Sequence, residues 1–250
     1  MNYLEYFNVT KESILENSIS KNSFYSNGNL KKSDKELFVN GIEKIIWQYS
    51  LKEESEGFRS YTNDNIEYDE IEVIRVILKE DCRYKKIAEI IQKTIPYPMI
   101  IIFELGNKVL FNTAFKRINK NDDNKNIAEE FNYTNWIDIA NPNNKEIKFL
   151  KSLNIKNVMV NDFYKLYEEI TNKIIIFNTS IYEEGDTNIE NKDIEEIKAI
   201  KAKIDNIIME IEKAKRQRDK EKQLNKRIDY QMKIKKLEIE KEKLILSLNK

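Results

Sequence analysis

The chain has 250 residues, with 43 lysines and arginines balanced by 43 aspartates and glutamates, and no histidine. A formal charge of zero gives the whole molecule no pull toward a polyanion, so only a local patch can do so. The missing imidazole removes the commonest general base, the commonest zinc ligand and every Ser-His or Cys-His arrangement, leaving carboxylate, lysine or tyrosine chemistry or a carboxylate-held magnesium.

Met1 to Phe7 carries Glu5 and lacks the basic-then-apolar order of a signal peptide. The first forty residues read as two short helical pieces joined by a polar linker, Ser18 to Lys32, anchored by Ile19, Phe24 and Tyr25. Ser33, followed by Glu36, has the spacing of a capping box and predicts a helix starting there. From Gly41 the pattern changes to period two. Ile45, Trp47, Tyr49 and Leu51 are expected on one face of a half-buried strand.

Residues 52 to 68 are polar and loop-like, and Asp69 to Lys79 is continuous enough in Ile and Val to be a central strand. Helical spacing returns through Ile87, Ile90 and Ile91 and must end where Ile95 precedes Pro96. Met99 to Glu104 and Lys108 to Arg117 flank Gly106-Asn107, a hairpin signal. The apolar run Met99 to Phe103 is far shorter than the roughly 18 residues of a membrane helix. Another strand, about Ala128 to Ile137, follows the polar loop Asn119 to Lys125. Lys145 to Leu153 and Asp162 to Tyr182 then look helical, and Glu183-Glu184-Gly185-Asp186 reads as a hinge.

From Asp193 the apolar positions Ile197, Ile200, Ile204, Ile207, Ile211 and Ala214 alternate spacings of three and four, a heptad seam. Lys215 to Gln223 is wholly charged or amide. Leu224, Ile228 and Met232 then resume the pattern out of phase, with a second row at Ile234, Leu237, Leu244 and Leu248. A helical hairpin turning near Arg218 fits this better than one helix of about 80 Å at 1.5 Å per residue, although no Gly or Pro marks the turn.

The expected fold is therefore α+β: a mainly antiparallel sheet of about five strands with helices (1–140), a helical extension packed on it (141–185), and a charged coiled-coil arm (186–250). The lone Cys82 excludes an internal disulfide.

Four constellations bear on function. Asp69, Glu70 and Glu72 enter a central strand as nuclease carboxylates often do, but the Glu-Ile-Lys triplets Glu146 to Lys148 and Glu196 to Lys198 fall on predicted helices and supply no partner strand. Five isolated glycines write neither a P-loop nor a dinucleotide fingerprint. Residues 213–236 hold eleven lysines and arginines against three acids, which concentrates positive charge at the proposed tip. Lys215, Arg216, Arg218, Lys222 and Arg227 are the nucleic-acid candidates there, and Lys116-Arg117 at a strand end is a second phosphate-contacting edge. The isoleucine seam, Ile197, Ile200, Ile204, Ile207 and Ile211, is the candidate partner-binding surface.

Several spellings, Phe24-Tyr25, the Glu43 to Tyr49 strand, Ile71 to Leu78, Ile95-Pro96-Tyr97-Pro98, Lys116-Arg117-Ile118-Asn119, Trp136 and Lys222-Gln223-Leu224-Asn225, resemble an uncharacterised bacterial domain-of-unknown-function family over the whole chain. The resemblance implies a companion of helicases and DNA methyltransferases in restriction or phage-defence systems. It implies no catalytic residue. The expectation is a cytoplasmic, non-enzymatic accessory subunit without cofactor or metal, binding a protein partner or its own copy through the arm. A metal-dependent nuclease built on Asp69, Glu70 and Glu72 and a stand-alone DNA-binding module are the alternatives.

Overall fold

The computed structural model describes residues 2–27, 30–119, 126–180 and 193–248. They divide into two units, Met1–Ile174 and Ile175–Lys250.

In the first unit, two 3-10 turns, Tyr3–Phe7 and Lys11–Ser13, precede strand β1 (Ile14–Ser18), helices α1 (Lys21–Asn27) and α2 (Lys32–Gly41) and strand β2 (Ile42–Lys52). Helix α3 (Glu53–Glu56), strands β3 (Tyr61–Thr62), β4 (Glu67–Tyr68) and β5 (Glu70–Leu78) and helix α4 (Tyr84–Thr94) follow. Strands β6 (Met99–Leu105), β7 (Lys108–Ile118), β8 (Asn126–Tyr133) and β9 (Ile137–Asp138) lead to helices α5 (Asn144–Ser152) and α6 (Phe163–Ser180). The division falls inside α6.

The sheet runs β1-β2-β5-β6-β7-β8, with β9 also on β7. It is mixed but mainly antiparallel, as the sequence predicts, with β5-β6 its parallel pair, and it has seven strands rather than about five. Strands β5 and β6 are parallel because α4 carries the chain back between them, as a parallel pair requires. The extra strands have two causes: β1 is almost wholly exposed and so shows no apolar alternation, and the single strand expected over Ala128 to Ile137 splits into β8 and β9.

Ile74, Val76 and Leu78 of β5, with Met99, Ile101 and Phe103 of β6, form one face, covered by Phe24 of α1, Phe38 of α2 and Ile87 and Ile91 of α4. On the opposite face Phe111 lies against Tyr3, Phe7 and Phe149, and the Tyr167 hydroxyl of α6 donates to the Met99 and Ala114 carbonyls, both at 2.8 Å. The β6-β7 hairpin turns at Gly106, whose φ of 58° suits a residue without Cβ.

The single-face expectation for β2 fails at a bulge. Trp47 pairs with Ile74 but Tyr49 pairs with Val73, so one extra residue intervenes. The side chains after it change sides. Ile45 and Trp47 pack toward α4, whereas Tyr49 meets Phe7 on the other face. Two N-terminal expectations also change: the linker Ser18 to Lys32 contains α1, which buries Phe24, and α2 starts at Lys32 with no side-chain cap, leaving Ser33 inside it. The polar stretch 52–68 holds α3, β3 and β4.

The second unit contains helices α7 (Ile194–Lys220) and α8 (Leu224–Leu248). Ile197, Ile200 and Ile204 pack with Ile175 and Leu248, and Ile207, Ile211 and Ala214 with Ile234 and Leu237. The two helices are therefore antiparallel. The break comes at Glu221–Gln223, slightly beyond Arg218, and neither glycine nor proline makes it. Glu221 sits there instead, the C-cap of α7 in extended conformation: its carboxylate accepts from the backbone N–H groups of Lys222 and Gln223, at 2.8 and 2.9 Å, and so holds the turn ahead of α8. Those bonds, the one from Gln223 foremost, hold its pKa below the ordinary value. The expected hinge Glu183-Glu184-Gly185-Asp186 and most of the loop Asn119 to Lys125 lie outside the described residues.

Candidate functional site

The cations expected at an arm tip come together at one end of the helix pair. Lys215, Arg216 and Arg218 occupy the last turns of α7, Lys222 the break, and Arg227 the first turn of α8. All five are exposed or half-exposed. Three are held by neighbours: Lys215 lies 4.0 Å from Glu238, Arg216 3.6 Å from Glu212, and Arg218 2.9 Å from Asp219 with a further bond to Gln231. Exposed pairs of this kind are weak, roughly 0 to 1 kcal/mol each, and yield readily to a better anion.

The isoleucines of the seam are buried inside the pair. Ile197, Ile200, Ile204, Ile207 and Ile211 all face α8 or Ile175 at the end of α6. The apolar surface that stays open lies elsewhere, at Leu224, Ile228, Met232, Ile239 and Leu246 of α8. The sequence signal for it was the row that resumed out of phase after the polar gap.

In the first unit, Lys116 and Arg117 part company. Arg117 is half-exposed and pairs with Glu129 at 3.4 Å. Lys116 is 1 % exposed, and its ammonium donates to the carbonyls of Gln92 and of Ile95, the latter at 2.9 Å. Burial lowers its pKa to about 7. Its charge is thus spent on the last carbonyls of α4, out of reach of a phosphate. Gln92 itself is buried, donating to Met99 O at 3.2 Å and Asn112 Oδ1 at 3.1 Å, so a polar layer that sequence reasoning missed lies between α4 and β7.

The three carboxylates at the start of β5 are employed separately. Asp69 accepts from the Thr62 hydroxyl at 3.2 Å, and Glu70 pairs with Lys52 at 3.2 Å. Glu72 is buried and accepts from the Trp47 indole and from Ser50 Oγ, the latter at 3.0 Å. Burial raises its pKa to about 7 against the pull of those two donors. Among the described residues no three side chains of metal-ligating type gather as a cation would need.

Residues 7–240 match the family described as Domain of unknown function (DUF4391). The chain belongs to this family. No curated protein and no solved structure matches it. No helix among the described residues is long and apolar enough to cross a membrane.

Proposed function

We propose that this family member is a non-enzymatic accessory subunit of a bacterial DNA-processing or phage-defence complex of restriction type. It binds a protein partner, a helicase or a methyltransferase, through its C-terminal helical pair, and the basic end of that pair is available to DNA. One observation carries this reading. A helix pair that has already buried its isoleucine seam still exposes a second apolar row on α8, and exposed apolar rows rimmed by charge are typical of interaction surfaces.

The lower part of that row, Leu224 and Ile228, adjoins the cations, so partner and DNA would be met at the same end. Affinity capture of the full chain from its native cells, compared with Leu224→Glu/Ile228→Glu, tests the reading. Recovery of a helicase or methyltransferase by the parent chain and its loss in the variant is the expected result. Equal recovery with both chains sinks it. Incubation with DNA and magnesium separates the nuclease alternative, because cleavage that disappears in Glu72→Ala would replace the accessory role with an enzymatic one.

A further inference from the structure

Helix α8 carries apolar rows on opposite sides. At 100° per residue, Ile234, Leu237, Leu244 and Leu248 share the side turned to α7, while Leu224, Ile228, Met232, Ile239 and Leu246 lie within about 80° of one another on the other. Leu224 is 68 % exposed and the other four are exposed as well. Ile228, Met232, Lys235, Ile239, Glu242 and Leu246 step by four, three, four, three and four residues, a second heptad seam.

Two of its positions are charged. Among the described residues neither Lys235 nor Glu242 has an ion-pair partner in the chain, although Lys233 pairs with Glu210 and Glu238 with Lys215, both across to α7. A membrane surface is a poor match for this row, since both charges would be pressed into the apolar layer. Another helix suits it, provided that it sets an acid against Lys235 and a base against Glu242.

A second copy of α8 does so when it runs antiparallel. Placing Lys235 opposite Glu242 of the second copy puts the two-fold axis between Glu238 and Ile239. Met232 then lies one residue, about 1.5 Å, from the level of Leu246 in the other copy, and Ile239 meets its own counterpart. A parallel, in-register pair would instead stack lysine on lysine and glutamate on glutamate.

We infer that the outer face of α8 is a self-association surface, joining two chains as an antiparallel helix pair through Met232, Lys235, Ile239, Glu242 and Leu246. The inference deepens the interaction role proposed above, which it assumes. Leu224 and Ile228 lie outside the Met232 to Leu246 span that joins the two copies and are kept for the partner. Lys236 and Lys243 of the two copies face each other at the solvated rim, which weakens the dimer without deciding its register.

Sedimentation equilibrium of the full chain up to about 100 µM, a range that detects micromolar affinity, is the first measurement. A dimer is expected. Lys235→Glu should weaken it about tenfold or more, and adding Glu242→Lys to that variant should restore it, with far-UV circular dichroism unchanged throughout. In a Cys82→Ser background, Met232→Cys chains mixed with Leu246→Cys chains should form the mixed disulfide. A monomer at the highest concentration, a dimer indifferent to Lys235→Glu, or disulfides joining two Met232→Cys chains in preference to the mixed pair each overturn the inference. A monomer that still captures its partner through Leu224 and Ile228 leaves the accessory role standing, whereas a sound dimer that captures nothing removes that role alone.

Discussion

Lys116 and Glu72 are buried on the same face of the sheet, and each resists its charge for the same physical reason, the loss of water around an ion. Their effects on stability run in opposite directions with pH. Glu72 titrates near pH 7 when folded and near 4.5 when unfolded, so between these values the folded chain holds the extra proton and stability falls as pH rises. Lys116 titrates near 7 when folded and near 10.5 when unfolded, so over that window the unfolded chain holds the extra proton and stability rises with pH. Taken together, the two groups place a local minimum of stability near pH 7.

At about 1.4 kcal/mol per pH unit the Glu72 side of this valley is roughly 3 kcal/mol deep. Urea titrations from pH 4.5 to 10 should show the dip. Glu72→Gln, whose amide oxygen still accepts from Trp47 and whose amide donates to Ser50, should flatten the acid side, and Lys116→Met should flatten the alkaline side. Slopes unchanged by either substitution would remove the account. Neither burial was legible in the sequence, because lysine and glutamate at strand ends ordinarily read as solvated. What buries them is tertiary: the final carbonyls of α4 fall over β7, and the Trp47 indole reaches across from β2.

At the scale of elements, periodicity was a sound guide where one face of an element met one neighbour. The α4 isoleucines, the Gly106 hairpin and the α7 seam all follow from spacing. It misled where geometry intervened between residue and face. The β2 bulge carries no composition of its own, so a strict alternation through Tyr49 looked seamless. On α8 the two rows looked like a phase error in one seam, when they are two faces.

That distinction is measurable. Ile234→Asp places a carboxylate in the closed interior between α7 and α8, and should cost about 3 kcal/mol or more, with loss of helical circular dichroism from this unit. Ile228→Asp, on the open side, should change stability by no more than about 0.5 kcal/mol. Equal losses would mean that both faces of α8 are enclosed.

For the whole molecule, zero net charge means that a distant polyanion feels little attraction, and a local cluster acts only within about one Debye length, roughly 10 Å at 0.1 M salt. DNA contact on the proposed reading must therefore be short-ranged, confined to the end where α7 gives way to α8. Fluorescence anisotropy with a labelled duplex, repeated across salt concentrations, measures this directly. Each phosphate neutralised contributes about 0.9 to the slope of log affinity against log salt. Of the five candidate cations, Lys222 and Arg227 have no salt bridge among the described residues to release first, and Lys222→Glu/Arg227→Glu should lower the slope by about two and weaken binding uniformly across sequences. Lys116→Met, which removes a cation already spent inside the first unit, should leave slope and affinity unchanged. If the double reversal leaves the slope intact, or if Lys116→Met abolishes binding in protein that remains folded, DNA is not held by the end of the helix pair.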